Sequence, residues 1–241
     1  MFRKKAAALK KQTIRWRSHE PTRLETFSDA VFAFAVTLII VSLEVPKSFD
    51  ELFETMKGFV AFGVCFGLLF LIWNNQNIFF RRYGIVDAYT TFLNAVLLFL
   101  VLTYTYPLKF LFTLVFSGDN TYLSNGVKLS MIRTDQVPVL MYIYNAGYTL
   151  IYLLFYLMYR HAQNHAEKLE LTAFELFETK SQMYINLLNA LIGITAILVT
   201  LFLPADIKGG SGYIYFLIPV SYSIFFRWRG KKSRKLFGVT A

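Results

Sequence analysis

The hydrophobic positions along this chain fall into long unbroken runs, and six of these approach the length that crosses a lipid bilayer. A helix needs about 20 predominantly apolar residues to span the hydrocarbon core. The runs extend from Phe27 to Val45, Thr55 to Phe80, Ala88 to Phe116, Val137 to Tyr159, Met183 to Leu203 and Tyr213 to Phe226. The third carries Pro107 and Lys109, which predicts a kink or an exit from the bilayer at that point. The sixth is short, and Pro219 interrupts it. No β-barrel alternation, coiled-coil heptad, low-complexity tract or convincing internal repeat is visible. The pattern predicts an all-α membrane protein with six transmembrane helices per subunit, forming a single domain over residues 1–241. Between the third and fourth runs, Gly118-Asp119-Asn120 and Asn125-Gly126 are turn signals. The segment from His161 to Lys180 is polar and helix-favouring, so it is expected to extend the fourth or fifth helix out of the membrane.

Composition supports the membrane assignment. The chain is 56% hydrophobic and 17% charged, against about 45–50% and about 25% in soluble domains. A secretory leader is excluded as the reading of the first run, which is longer than a signal core and is followed by no small-residue cleavage site. The single cysteine, Cys65, lies inside an apolar run and allows no disulfide framework within a chain.

The net charge of +10 raises nucleic acid as a partner, but the location of the charge argues against it. Basic residues concentrate in an N-terminal arm (1–22), in the loops holding Arg81, Arg82, Arg160, Lys168 and Lys180, and in a C-terminal tail (227–241). With six spans all of these lie on one side, which the positive-inside rule makes the cytosol, with both termini there. Trp16 and Trp228 stand beside arginines and are expected at anionic lipid head groups.

The most informative stretch runs from Arg23 to Ile40. Arg23, Ser28 and Asp29 are polar groups placed where the first helix enters the membrane. Intramembrane charges are costly and usually paired. Arg23 and Asp29 are six residues apart, a turn of roughly 240°, so they cannot pair on one face and Asp29 needs a partner on another helix. The second span returns past that depth with Trp73-Asn74-Asn75-Gln76-Asn77, whose amides can donate to a carboxylate. An ordinary interfacial charge with a solvated helix end fits the same spacing. Phe27, Val31, Phe34, Leu38 and Val41 share one apolar face, and Ala30, Ala33 and Thr37 form a small-residue face beside it that suits close helix packing.

The pattern Arg23-x-x-x-Phe27-Ser28-Asp29, followed by Ala30, Val31, Phe32, Ala33, Ala35, Thr37 and Leu38, resembles the signature of the transmembrane protein 175 family of potassium channels. Trp73, Asp87, the run Leu93-Asn94-Ala95-Val96-Leu97-Leu98-Phe99 and Pro107 extend the similarity through the first half of the chain. The resemblance implies six helices per repeat, a homotetramer for a single-repeat chain of this length, and a central pore lined by the first helix. It also implies a constriction of apolar side chains in place of the Thr-Val-Gly-Tyr-Gly filter, at positions matching Phe34, Leu38 and Val41. Such a ring gates by dewetting. Thr37 then offers hydroxyls to a partly dehydrated ion, and Glu44 an acidic group near the outer mouth, where it also reads as an ordinary interfacial acid. The motif residues Arg23, Phe27, Ser28, Asp29, Trp73 and Asn77 are expected to be structural. Two departures stand out: Phe34 replaces the usual isoleucine or leucine, and Gln76 and Asn77 replace a histidine pair.

The expected function is passive K+ conduction in the plasma membrane of a prokaryote, with the bilayer and K+ as partners, no cofactor and no enzymatic activity. A secondary transporter or a proton-leak pathway is the alternative, but a transporter predicts a polar midplane cluster and inverted repeats, and neither is apparent. Among the three histidines, His161 and His165 lie four apart on a predicted helix. Two ligands alone make a weak metal site, and none is assigned.

Overall fold

The structure is a computed structural model that describes residues 14–41, 47–116, 121–124 and 127–238. Six helices follow one another along the described chain: α1 (Arg23–Val41), α2 (Phe49–Tyr83), α3 (Ala88–Phe116), α4 (Val137–Asn164), α5 (Ala173–Phe202) and α6 (Leu217–Phe237). Strands β1 (Thr121–Ser124) and β2 (Val127–Ser130) form an antiparallel hairpin between α3 and α4. The register pairs Ser124 with Val127. The turn signal Asn125-Gly126 lies outside the described residues. Only turns were expected there, so the hairpin is an addition to the all-α reading.

Among the described residues, four helices are long and apolar enough to cross a membrane: α2 from Gly58, α3, α4 with the short 3-10 turn before it, and α5. In α1 the first two turns carry Arg23, Glu25 and Asp29. The sixth run departs from expectation. A 3-10 segment occupies Ala205–Phe216, so the helix begins at Leu217, later than the sequence pattern suggests. Pro219 sits in the first turn of α6, where a helix amide has no intrahelical partner, and it starts this helix rather than interrupting it. Lysine and arginine are good helix formers, and α6 continues through the basic residues to Phe237. Gly238 closes it at φ 69°, donating its amide to the Arg234 carbonyl. Pro107 likewise lies within an unbroken α3.

The polar segment after His161 extends both neighbouring helices. α4 continues to Asn164, and α5 opens at Ala173 behind a capping box in which Thr172 and Glu175 satisfy each other's amides.

The core joins Phe32, Ala35 and Ile39 of α1 to Phe79 and Phe80 of α2, Leu97 and Val101 of α3, and Phe155, Met158 and Tyr159 of α4. Lipid tails are as apolar as leucine, so close packing and polar contacts hold membrane helices together. The α4–α5 seam uses both. A Cβ on Gly193 would lie 2.2 Å from the Thr149 hydroxyl, and one on Gly147 would lie 2.3 Å from the Tyr104 ring on α3. Asn145 donates to Thr200 (3.2 Å) and accepts from Tyr215 (2.7 Å). Asn189 accepts from Tyr148 (2.7 Å) and donates to Tyr222 (2.8 Å). Both asparagines are buried. A polar cluster inside the spans thus exists, contrary to expectation, and its members partner one another across α4, α5 and the 3-10 segment.

The basic residues at one end of the bundle are also paired. Arg17 contacts both carboxylate oxygens of Glu175 at 3.2 and 3.0 Å, and its backbone amide donates to the Arg81 carbonyl at 2.9 Å. Arg229 ties α6 to Glu178 on α5. Trp16 packs under the Arg81 guanidinium at 4.8 Å. These arginines bind other parts of the subunit, while Trp16, expected at lipid head groups, is 42% exposed. Trp228 remains half exposed.

Candidate functional site

α1 is anchored at its start by three sets of contacts. Thr22 and Glu25 form a capping box: the Thr22 amide donates to Glu25 Oε2 (2.7 Å), and the Glu25 amide donates to Thr22 Oγ1 (3.2 Å). Ser28 donates to the Leu24 carbonyl and accepts from Asn94 Nδ2 on α3 (2.9 Å), while Asn94 Oδ1 accepts from Gln76 Nε2 on α2 (2.8 Å). All three side chains are buried. Asp29 accepts from the indole N–H of Trp73 at 2.7 Å. Asp29 therefore does find its partner on the second span, but the donor is Trp73 rather than an amide. Successive residues on a helix point about 100° apart, so Ser28 turns toward α3 while Asp29 turns toward α2.

The far end of α1 is held from outside. Lys109 of α3 donates to the Ile39 carbonyl at 2.8 Å, in the last turn, where helix carbonyls lack intrahelical partners and a cation complements the dipole. The lysine expected to lead α3 out of the bilayer instead turns inward onto α1.

Between these anchors the helix has two unlike sides. Phe32, Ala35 and Ile39 are buried against α2 and α3. Phe27 and Phe34 are 62% and 56% exposed, and Ala30, Ala33 and Thr37 are exposed with them. Steps of three, four and three residues align Phe27, Ala30, Phe34 and Thr37 in one stripe along the helix. Leu38 is half-buried at its edge. The Thr37 hydroxyl donates to the Phe34 carbonyl at 2.7 Å, leaving its oxygen to accept from outside. The Val41 side chain and all of Glu44 lie outside the described residues.

At the anchored end, a cavity of about 250 Å³ opens between the start of α1 and the end of α2, lined by Glu25, Asp29, Gln76, Asn77 and Arg81 among others. Arg23 is exposed, and Trp73 and Asn77 are half-buried. Two carboxylates with amides beside them form a polar mouth at the foot of the apolar stripe. Farther round the same end, Asp87 Oδ1 accepts the Thr90 amide (2.7 Å) and Oδ2 meets His161 Nε2 (2.6 Å). Burial pushes the Asp87 carboxyl up, but the Thr90 amide and His161 outweigh this and hold it at about 2. Sequence reasoning missed Lys109–Ile39 and Asp87–His161, which join residues 70 and 74 positions apart. Sequence spacing carries no signal for such pairs.

A sequence model of the family described as endosomal/lysosomal potassium channel TMEM175 matches residues 23–104, the stretch that contains α1 and the residues that anchor its start. A protein of Marivirga tractuosa described as a potassium channel is 36% identical over 228 residues, covering 92% of each chain. The crystal structure of a threonine-to-alanine variant of the potassium channel MtTMEM175, bound to a nanobody–MBP fusion, matches with a TM-score of 0.77 at 35% identity, over 91% of this chain and 97% of that one. A TMEM175 homolog from Chamaesiphon minutus, described as a lysosomal potassium-selective channel, shares the fold with a TM-score of 0.55 at 18% identity. Each of these proteins is described as a potassium channel and none as an enzyme.

Proposed function

Because the chain belongs to the TMEM175 family of potassium channels, we propose that its K+ path runs along α1, with four copies placing their first helices around one axis. The observation that carries this reading is the uncovered stripe of α1. A helix clamped by buried polar contacts at its start nevertheless turns Phe27, Ala30, Phe34 and Thr37 away from its own subunit. A ring of such helices covers those side chains with one another and narrows the axis.

In this arrangement Phe34, Leu38 and Val41 form the constriction, and a narrow apolar ring excludes continuous water and blocks ions until it widens. Thr37 lends its free oxygen lone pair to a partly dehydrated cation. Glu44 raises the cation concentration at the outer mouth. Arg23, Phe27, Ser28, Asp29, Trp73 and Asn77 position the helix and shape the inner mouth. K+ is the permeant ion and no cofactor takes part. The protein sits in the plasma membrane of a prokaryote with both termini cytosolic, a reading supported by the gathering of Arg17, Arg81 and Arg229 at one end of the bundle.

Ion flux into liposomes containing the purified protein tests this. Wild type passes K+ in preference to Na+ and without coupling to protons. Leu38→Ala raises K+ flux about tenfold, which corresponds to ~1.4 kcal/mol off the barrier, and narrows the K+/Na+ difference. Unchanged flux in both Leu38→Ala and Phe34→Ala places the constriction elsewhere. Proton-coupled exchange in wild type would instead identify a transporter.

A further inference from the structure

Away from the proposed ion path, two histidines and a carboxylate converge from opposite sides of a helix junction. Asp87 precedes the first turn of α3, His161 lies in the last turn of α4, and His165 ends that helix. One ligand atom from each lies within 4.8 Å of the other two, and all three residues are partly buried. The imidazole rings of His161 and His165 are 4.3 Å apart, and Tyr89 packs on His161 at 4.8 Å.

The surrounding hydrogen bonds orient these groups as metal ligands are oriented. His165 Nδ1 lies 3.0 Å from the His161 carbonyl. A carbonyl only accepts, so Nδ1 carries the hydrogen and Nε2 carries the lone pair. A backbone carbonyl fixing the tautomer of a histidine is the usual outer-shell arrangement at metal sites. Asp87 is steered in the same way: Oδ1 is held by the Thr90 amide, which leaves Oδ2 facing His161. The Asp87–His161 contact of 2.6 Å has a hydrogen between the two atoms. A tetrahedral ion with bonds of about 2.0–2.1 Å needs its ligand atoms ~3.3 Å apart, so an ion is admitted by opening the 2.6 Å pair by well under an ångström and drawing in atoms that now lie up to 4.8 Å apart.

Beside the cluster, a cleft of about 380 Å³ is lined by Tyr89, Arg160, His161 and Asn164, so one of the three groups borders open space. The donor set selects the ion. Calcium and magnesium are held by oxygen ligands, and here only one of the three groups is a carboxylate. Two imidazole nitrogens with one carboxylate suit a borderline transition ion.

We propose that Asp87, His161 and His165 form a binding site for a divalent cation of the zinc class that bridges the start of α3 to the end of α4. The full-length protein in detergent, stripped with a chelator, provides the test. Co²⁺ reports nitrogen coordination through its visible absorption, and Zn²⁺ competition against a chromophoric chelator gives affinity and stoichiometry. Wild type binds one ion per chain. His165→Ala weakens binding by more than the ~10–100-fold that loss of a mere supporting group costs, and abolishes the Co²⁺ band. Asp87→Asn has the same direction of effect. Asparagine is as good an N-cap as aspartate, so α3 stays capped, and unchanged gel-filtration elution of this variant separates loss of a ligand from loss of fold. His19→Ala binds as wild type. The assignment is overturned if wild type shows no Co²⁺ band, or if His165→Ala and Asp87→Asn both retain wild-type affinity.

Discussion

The two halves of the subunit solve the same packing problem in opposite ways. α2 and α5 are both long apolar spans, yet α2 buries 17% of its most apolar stretch within the subunit and α5 buries 44%. α5 lies against α4 with glycine at the contact, and the buried asparagines Asn145 and Asn189 are satisfied within that half. α1 and α2 meet through a few directed polar contacts and leave Phe27, Phe34, Phe66 and Phe70 uncovered. Both halves present apolar surface for lipid or other copies of the chain to cover, Phe27 and Phe34 in the first and Leu201 and Phe202 in the second, but the second is tied together more tightly within the subunit. If α1 lines the axis as proposed, that difference is expected, because contacts made with other copies are not available inside one subunit.

Glycine substitutions test this comparison most strongly. Gly193→Ala puts a Cβ 2.2 Å from a Thr149 hydroxyl that already bonds the Asn145 carbonyl, and 3.1 Å from the Tyr148 ring. Overpacking of this kind costs about 1–3 kcal/mol, so the thermal midpoint in detergent falls. Gly63→Ala in α2 meets nothing within 4 Å and gains up to ~1 kcal/mol of helix propensity. If the two substitutions shift stability alike, the halves do not differ as described.

Asn94→Ala is expected to act next. It leaves Ser28 and Gln76 buried without their partner, at about 1–2 kcal/mol, and loosens the start of α1. Denaturation together with hydrogen exchange across Arg23–Val41 reads both effects. The smallest change is Trp73→Phe, which removes the indole donor to Asp29 while keeping an aromatic ring, at ~0.6 kcal/mol. A larger loss than that of Asn94→Ala would make Asp29, and not Ser28, the principal anchor.

The spans of the middle of the chain were legible because twenty apolar residues in a row admit few other structures, and Val137 was read as the start of α4 from that pattern. Legibility failed where a helix boundary depended on something other than apolar length. The basic residues after Phe226 read as a tail because charge marks the end of a span, but charge does not end a helix. The polar segment from His161 to Lys180 read as an extension of the fourth or fifth helix, which it is, but only the Thr172–Glu175 box shows where one helix ends and the next begins. At the site, helix arithmetic showed that Asp29 needed a partner on another helix and pointed to the right segment of α2. It did not distinguish an indole from an amide, because donor identity depends on rotamer and depth. The chain Ser28–Asn94–Gln76 joins three helices, and no periodicity within one helix contains it. The polar pairs of α4 and α5 escaped notice for the same reason: isolated asparagines and tyrosines look unremarkable until two helices bring them together.

The lysine contact at the far end of α1 has a mechanical consequence. From Ser28, tied to α3, to Ile39, also tied to α3, the helix rises by about 16 Å, so α1 is a short beam pinned at two points to one support. Turning such a beam about its long axis strains both pins at once. Bowing it spares both pins but pulls Phe32 and Ala35 at mid-length out of their packing. Displacements that keep all of these contacts therefore move α1 and α3 together as one frame.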